Sequence, residues 1–321
     1  MIEKRFPGRV PWPSLGDAYE LVILASLWLP AWLLPERAWH WMSSAFAFLR
    51  ISLRRNHFSQ MRSEIDRPLR MLGAISSATA VQRGLVAGKF EEYFFTLREY
   101  APWGWHPKIR VTGIEHLHEV LASKTGAILY VHPSVYSSLI WKKGLAAVGV
   151  RVTHLSRSTH GLSPTEFGVR FLNPIVTRIE DRYIAERLTL DDGSATRGLR
   201  PLIKALREKK IVSITANAEG RTVQLPFLGG TIRLARGAAG LSLSSGAPIL
   251  PVMVSREGFA RYHLQILPRL QSDARDGGEC SETELLKDYV RRLHEFAHLH
   301  PDQCTEWVNR ARWQPSACEG A

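Results

Sequence analysis

From Lys108 onward the chain alternates short β-like apolar runs with helical stretches, and this alternation constrains the fold more than any other feature. "KIRVTG" reads as a strand, "HLHEVLAS" as a helix, "GAILYVH" as a buried strand, "SSLIWKKGLAAVG" as a helix and "VRVTHLS" as a strand. Further on, "ATRGLRPLIKALREKK" reads as a helix, "IVSITAN" as a strand and "GAAGLSLSSG" as a helix of small residues. "APILPVMVSR" and "RYHLQILPRL" follow as strands, with "ETELLKDYVRRLHEFAHLH" as a closing helix. Strands separated by helix-length segments pair in parallel, because the connection must carry the chain back to the same end of the sheet. The expectation is an α/β fold with a mixed, largely parallel sheet flanked by helices.

The first third of the chain follows another pattern. Residues 36–100 place apolar positions three and four apart, the helical period, and "PWGWHP" (Pro102 to Pro107) breaks the run. The division is therefore a helical arm over 1–100 and an α/β domain over 101–321. Within the arm, Leu21 to Leu34 ("LVILASLWLPAWLL") lacks charge, but it is shorter than the ~20 residues a spanning helix needs and contains Pro30. Glu3, Asp17 and Glu20 precede it and no small-x-small site follows, which argues against a cleaved secretory signal. Trp12, Trp28, Trp32, Trp39 and Trp41 crowd this region, and Arg50, Arg54, Arg55, Arg62, Arg67 and Arg70 come directly after. Tryptophan bodies beside arginine suit the boundary between acyl chains and anionic headgroups, so the arm reads as an apolar, membrane-surface element, with buried core helices of a soluble protein as the other reading of runs this short.

Composition agrees with that partner. The net charge of +12 favours an anionic surface or ligand, and 45% apolar content supports a full core. No zinc-finger spacing, RNP-like motif or evident helix-turn-helix accompanies the charge, so nucleic acid is not expected. Cys280, Cys304 and Cys318 form no metal or disulfide pattern, which points to a reducing compartment and no metal.

Two stretches could carry chemistry. His132 closes the run "GAILYVH", at the carboxyl end of an expected strand, the edge where open α/β sheets bind ligands. Downstream, Glu219, Gly220, Arg221 and Thr222 follow another strand, placing a carboxylate, a permissive glycine and a cation in one turn suited to an anionic group. Arg157, Arg233, Arg236 and Arg256 join Arg221 as candidates to grip phosphate, since guanidinium pairs with it bidentately. Trp307 and Trp313 read as packing, and Phe227 as a candidate floor for an apolar groove.

These residues, with "RRNHFSQMR", "FLNP" at Phe171 to Pro174, the block from Leu225 to Leu270 and the closing "HPDQCTEWVNRARWQP", resemble the lysophospholipid acyltransferase superfamily. Within it they are most similar to the late acyltransferases of lipid A biosynthesis. The resemblance implies a glycerolipid-acyltransferase-like fold that transfers a fatty acyl group from an acyl-carrier-protein or coenzyme A thioester to a hydroxyl of a lipid acceptor. It implies work at the cytoplasmic face of the inner membrane, with no covalent acyl-enzyme and no metal or redox cofactor. His132 would be the general base, worth about 100- to 10,000-fold in rate.

The family pattern is a histidine, four residues, then aspartate or glutamate. Here Ser137 stands at the acidic position, and Asn217 stands near where another acid is common. A hydroxyl can orient the imidazole ring but cannot neutralise the imidazolium. Three readings stay open: a carboxylate from elsewhere replaces it, with Glu219 ahead of Glu180, Asp181 and Glu166; the acceptor is an amine that asks less of its base; or the chain is a silent member that binds lipid, carrier or a partner enzyme.

Overall fold

A computed structural model describes residues 13–73, 76–122, 125–190, 195–272 and 281–315. Four helices come first: α1 (Leu15–Leu33), α2 (Glu36–Leu53), α3 (Arg55–Leu72) and α4 (Ala78–Arg98). The α1 helix starts with a capping box, in which the Ser14 hydroxyl accepts from the Asp17 amide while the Asp17 carboxylate accepts from the Ser14 amide. It runs through Pro30, whose carbonyl accepts from Leu34. Among the described residues no helix is long and apolar enough to cross a membrane.

The arm is organised by α4. Its Val81, Leu85, Phe90, Phe94 and Phe95 are buried, while α1, α2 and α3 all pack on it. Gly88 lets α4 come close to the rest of the chain, because a Cβ there would lie 2.2 Å from Val135 Cγ1. Glu91 of α4 pairs with Arg256, and the Tyr100 hydroxyl donates to the Ile175 carbonyl at 2.8 Å. Arm and α/β part thus share one continuous hydrophobic core.

The main sheet contains β1 (Lys108–Thr112), β2 (Ala127–Val131), β3 (Thr153–Arg157), β4 (Glu186–Leu190), β5 (Ile211–Thr215), β8 (Ile249–Gly258) and β9 (Arg261–Ile266), in the order β1-β9-β8-β2-β5-β3-β4. All neighbours are parallel except β8 and β9. The expected mixed, largely parallel sheet is what forms, with α5 (Ile114–Ala122), α6 (Ser137–Ala147), α7 (Asn173–Glu180), α8 (Ala195–Arg207), α9 (Gly237–Ser245) and α10 (Glu282–Leu299) in the connections. Every residue of β2 is buried, as a parallel strand covered on both faces must be.

Three strands were not anticipated from sequence: β6 (Thr222–Phe227), β7 (Gly230–Ala235) and β10 (Trp313–Pro315), which form a small antiparallel sheet in the order β10-β7-β6. The β6–β7 turn is Leu228-Gly229, both at positive φ, the conformation of a two-residue hairpin loop. The edge strand β4 was also missed. Its sequence, "ERLTL", is too short and polar to stand out.

Register decides which way side chains face. His154 of β3 lies opposite Ser213 of β5, which lies opposite Leu129 of β2, so these three share one face. Leu155, Ile214 and Tyr130 share the other. Continuing the alternation past Val131 puts His132 on the Tyr130 face.

Candidate functional site

The carboxyl ends of β2, β5 and β3 lie side by side, and a cleft of about 670 Å³ opens over them. Its walls include Ser134, Ser137, Lys142, His154, Arg157 and Glu219. Next to it is a largely apolar pocket of about 390 Å³ between the Tyr130 face and helices α8 and α9, bordered by Leu241, Gly240 and Ala238. The two share Leu155, Ile214, Thr215, Asn217 and Glu219. A polar chamber therefore adjoins an apolar one across the sheet edge.

His132 sits at the predicted strand end, its backbone amide donating to the Val252 carbonyl at 2.9 Å. Its ring does not line the cleft. The side chain is 0% exposed and turns inward, edge-on to Phe296 with ring centroids 4.9 Å apart. Nδ1 faces the Tyr289 hydroxyl at 3.4 Å, and Nε2 lies 3.7 Å from Glu306 Oε2. Glu306 Oε1 in turn lies 2.7 Å from Arg312 Nη2, and the Cys304 thiol donates to Glu306 Oε2 at 3.4 Å. All of these groups are buried.

Burial is the dominant influence on the ring, taking the His132 pKa down to about 4 despite the nearby carboxylate. Burial also opposes charge on Glu306, but Arg312 and His132 hold that carboxyl below its ordinary range. The result is a neutral imidazole beside a carboxylate and guanidinium pair.

Glu306 comes from the C-terminal segment that crosses the sheet edge. The Val135 amide donates to the Gln303 carbonyl at 3.1 Å, the Arg256 amide donates to Gln303 Oε1 at 2.7 Å, and the Thr305 hydroxyl donates to the Pro133 carbonyl. Trp313 Nε1 donates to the Phe227 carbonyl at 3.0 Å, while Trp307 stacks on Phe227. The two tryptophans are packing residues, as read from sequence. Phe227 belongs to that packing and does not border the apolar pocket beside the cleft.

The structure redistributes the other candidates. Ser137 starts α6 and borders the cleft, but its hydroxyl donates to the Ser134 carbonyl at 2.9 Å rather than to His132, whose ring points to the opposite face. Glu219 is held by an Asx turn, its amide donating to Asn217 Oδ1 at 3.0 Å, and it pairs with Arg157 at the mouth of the cleft. It is not the carboxylate beside His132. Glu180 is not either, because it is enclosed with Lys142, His160 and Arg187 at 3.0, 3.0 and 2.8 Å. Asp181 pairs with Arg187, and Glu166 is exposed.

Among the glycine and arginines, Gly220, Arg221 and Arg236 border the apolar pocket. Gly220 takes a φ of +69°, the conformation its turn requires. Arg236 Nε pairs with Glu282 at 2.7 Å. Arg256 stands away from the cleft because Glu91 and the Tyr136 ring hold it against α4. Arg233 lies on β7, opposite Gln224, and borders neither chamber.

The far side of the cleft carries a second buried network that sequence reasoning passed over. His154 Nδ1 lies 3.0 Å from the Ser213 hydroxyl, and burial followed by Lys142 pushes the His154 pKa well below 6.5. Lys142, fully enclosed, is itself lowered by burial despite Glu180.

Among the described residues, His132, Cys304 and Glu306 bring potential metal-ligand atoms within 4.8 Å of one another. Arg312 already neutralises the one charged ligand in that group.

Residues 168–313 match the family model described as bacterial lipid A biosynthesis acyltransferase. That segment is a little under half of the chain and holds Glu219, Glu306 and Arg312, but neither His132 nor Ser137. No curated protein matches the chain. Among solved structures, the 1-acyl-sn-glycerophosphate (LPA) acyltransferase PlsC of Thermotoga maritima is similar over 87% of this chain and 97% of that one, at 13% identity and a TM-score of 0.34. The family match supports an acyltransferase of the lipid class in general terms.

Proposed function

We propose that this protein transfers a fatty acyl group from an acyl-carrier-protein or coenzyme A thioester to a hydroxyl or amine of a lipid or glycolipid. One observation carries the reading: the polar cleft at the carboxyl edge of β2, β5 and β3 opens directly beside a pocket suited to an alkyl chain. A thioester bound across that border has its carbonyl among polar groups and its chain among apolar ones. The match over residues 168–313 points the same way.

In this reading His132 is the base and Glu306 supplies the carboxylate that Ser137 does not. The acceptor oxygen or nitrogen attacks the thioester carbonyl carbon as its proton passes to the imidazole. Collapse of the adduct breaks the C–S bond, and the departing thiolate takes that proton. Backbone amides at the cleft stabilise the oxyanion, Glu306 stabilises the imidazolium, and no acyl group is carried on the protein. With Glu306 3.7 Å from Nε2, Nδ1 is the basic atom, and because the ring borders neither chamber this reading requires the acceptor to displace the Tyr289 hydroxyl from Nδ1 and open a path from the cleft to the buried ring. Arg157 and Arg221 at the mouths offer cations to a phosphate on donor or acceptor.

The reaction takes place at an anionic membrane surface, on the cytoplasmic face of the inner membrane, with the chain attached peripherally by its arm. In support, α1 and α2 turn large apolar side chains outward, including Leu15, Val22, Leu29 and Leu33 on α1 and Trp41, Phe48, Leu49 and Leu53 on α2.

A second reading has a specific observation in its favour. An imidazole with no exposure and both nitrogens facing protein groups is what a catalytically silent, lipid-binding or partner-binding member would keep. The deciding experiment incubates labelled acyl-carrier-protein or acyl-coenzyme A with purified chain and a lipid extract, comparing wild type with His132→Ala and Glu306→Gln. Acyl transfer lost in both variants supports the dyad. Transfer untouched by His132→Ala removes His132 from the chemistry, and no transfer by a folded wild type establishes the silent reading.

A further inference from the structure

A separate groove of about 680 Å³ lies in the helical arm between α1 and α2, and it shares no lining residue with the cleft. Its walls are Val22, Ile23, Phe46, Leu49, Leu53 and Phe90. Charge is confined to one end. Arg50 and Arg54 stand there beside Tyr19, the Arg50 guanidinium lying 5.8 Å from the Tyr19 ring centre and 6.0 Å from that of Phe90. The one carboxylate of the groove, Glu20, accepts the Tyr93 hydroxyl at 2.7 Å and interacts with the Arg50 charge, which leaves Arg54 as the cation of this end without a carboxylate of the groove beside it. From Leu15 to Leu27 the groove follows α1 for about 18 Å, at 1.5 Å of rise per residue.

A cationic end, an apolar length and walls continuous with an outward apolar helix face define the shape of a single amphiphile. We infer that this groove holds one acyl chain of an anionic phospholipid drawn from the bilayer, with the headgroup phosphate at Arg50 and Arg54. The charge complementarity is specific. A partner helix would need matching along the whole groove, whereas here the polar contact is at one end and the rest offers only dispersion and burial. The arm thus takes a lipid out of the headgroup layer as its point of attachment, which adds a defined binding site to the membrane-surface part of the proposed function and rests on it.

The test uses the full chain, stripped of lipid and mixed with vesicles of phosphatidylcholine with or without phosphatidylglycerol. Vesicle flotation and native mass spectrometry of the re-isolated protein are the readouts. The expected result is one phosphatidylglycerol retained per chain. Arg50→Ala with Arg54→Ala lowers the preference for phosphatidylglycerol vesicles by roughly 30-fold, taking each cation near an anionic surface at its usual strength. Ile23→Trp, which fills the groove, abolishes retention, and Ser26→Leu is the milder variant if Ile23→Trp does not fold. Vesicle binding without retained lipid overturns the inference, as does equal retention of the two lipids. Preferential retention of free oleate, self-association of the stripped chain, or retention gained only on deleting residues 1–12 would each assign the groove to another occupant. His132→Ala should retain lipid like wild type. A chain that keeps phosphatidylglycerol but transfers no acyl group therefore preserves this site while refuting acyl transfer.

Discussion

Glu306 is the residue on which the reading of His132 turns. It lies 174 positions along the chain from the histidine, yet its carboxylate is 3.7 Å from Nε2 and paired with Arg312. If the two act as a base and its orienting acid, Glu306→Gln lowers acyl transfer by about 10,000-fold, as amide replacement does in a serine protease triad, and a labelled-thioester assay reads it. Glu306→Leu tests a different property. It leaves a guanidinium buried without its partner, and the expected loss of stability is about 3–5 kcal/mol in denaturant titrations. A pH series reports on the ring itself. The His132 pKa of about 4 in the folded chain lies below the ordinary 6.5, so between those values the unfolded chain binds the extra proton. Stability falls as pH drops from 6.5 to 4, by about 3 kcal/mol in all, and the loss stops growing below that. Glu306, whose pKa is depressed, adds stability above its ordinary 4.5 that is lost on further acidification. His132→Gln should flatten the 6.5-to-4 portion of the denaturant midpoint against pH.

At the scale of elements, strand β2, the turn after it and helix α6 form the unit that places the histidine, and α4 braces that unit from behind. Gly88→Val drives a side chain into Val135 and Tyr136, where even a Cβ would lie 2.2 Å from Val135 Cγ1 and 3.0 Å from the Tyr136 hydroxyl. The expected cost is about 1–3 kcal/mol of stability, with transfer reduced further because the turn carrying His132 is displaced. Helix α9 offers a gentler probe. At Gly237 an added Cβ meets nothing within 4 Å, so Gly237→Leu is tolerated and projects toward the mouth of the apolar pocket. Donors with the longest acyl chains then lose rate before shorter ones, which a chain-length series measures. The placement of α6 and α9 was readable in the sequence, since both read as helices and break at glycine. The turning of the His132 ring was not, because it depends on which face of the sheet α10 covers.

Across the whole molecule, an outward apolar arm and a cleft at the sheet edge form one body joined through α4. Flotation with vesicles should retain the chain on anionic bilayers at moderate salt, and changing Trp41, Phe48 and Leu53 to serine together should release it without lowering the melting temperature. The sequence alone determined the α/β class, the parallel sheet, the strand-end position of His132 and the apolar, basic character of the arm. Each of these follows from local patterns: period two or 3.6, runs buried on both faces, and tryptophan beside arginine. Only the tertiary structure decided which groups meet. It brought Glu306 rather than Glu219 to the histidine, paired Glu219 with Arg157, drew Arg256 back to Glu91 and enclosed Glu180 with Lys142. The reason is physical: a charge pairs with whichever opposite charge the packing places within reach, buried or not, and packing joins segments that no spacing along the chain connects.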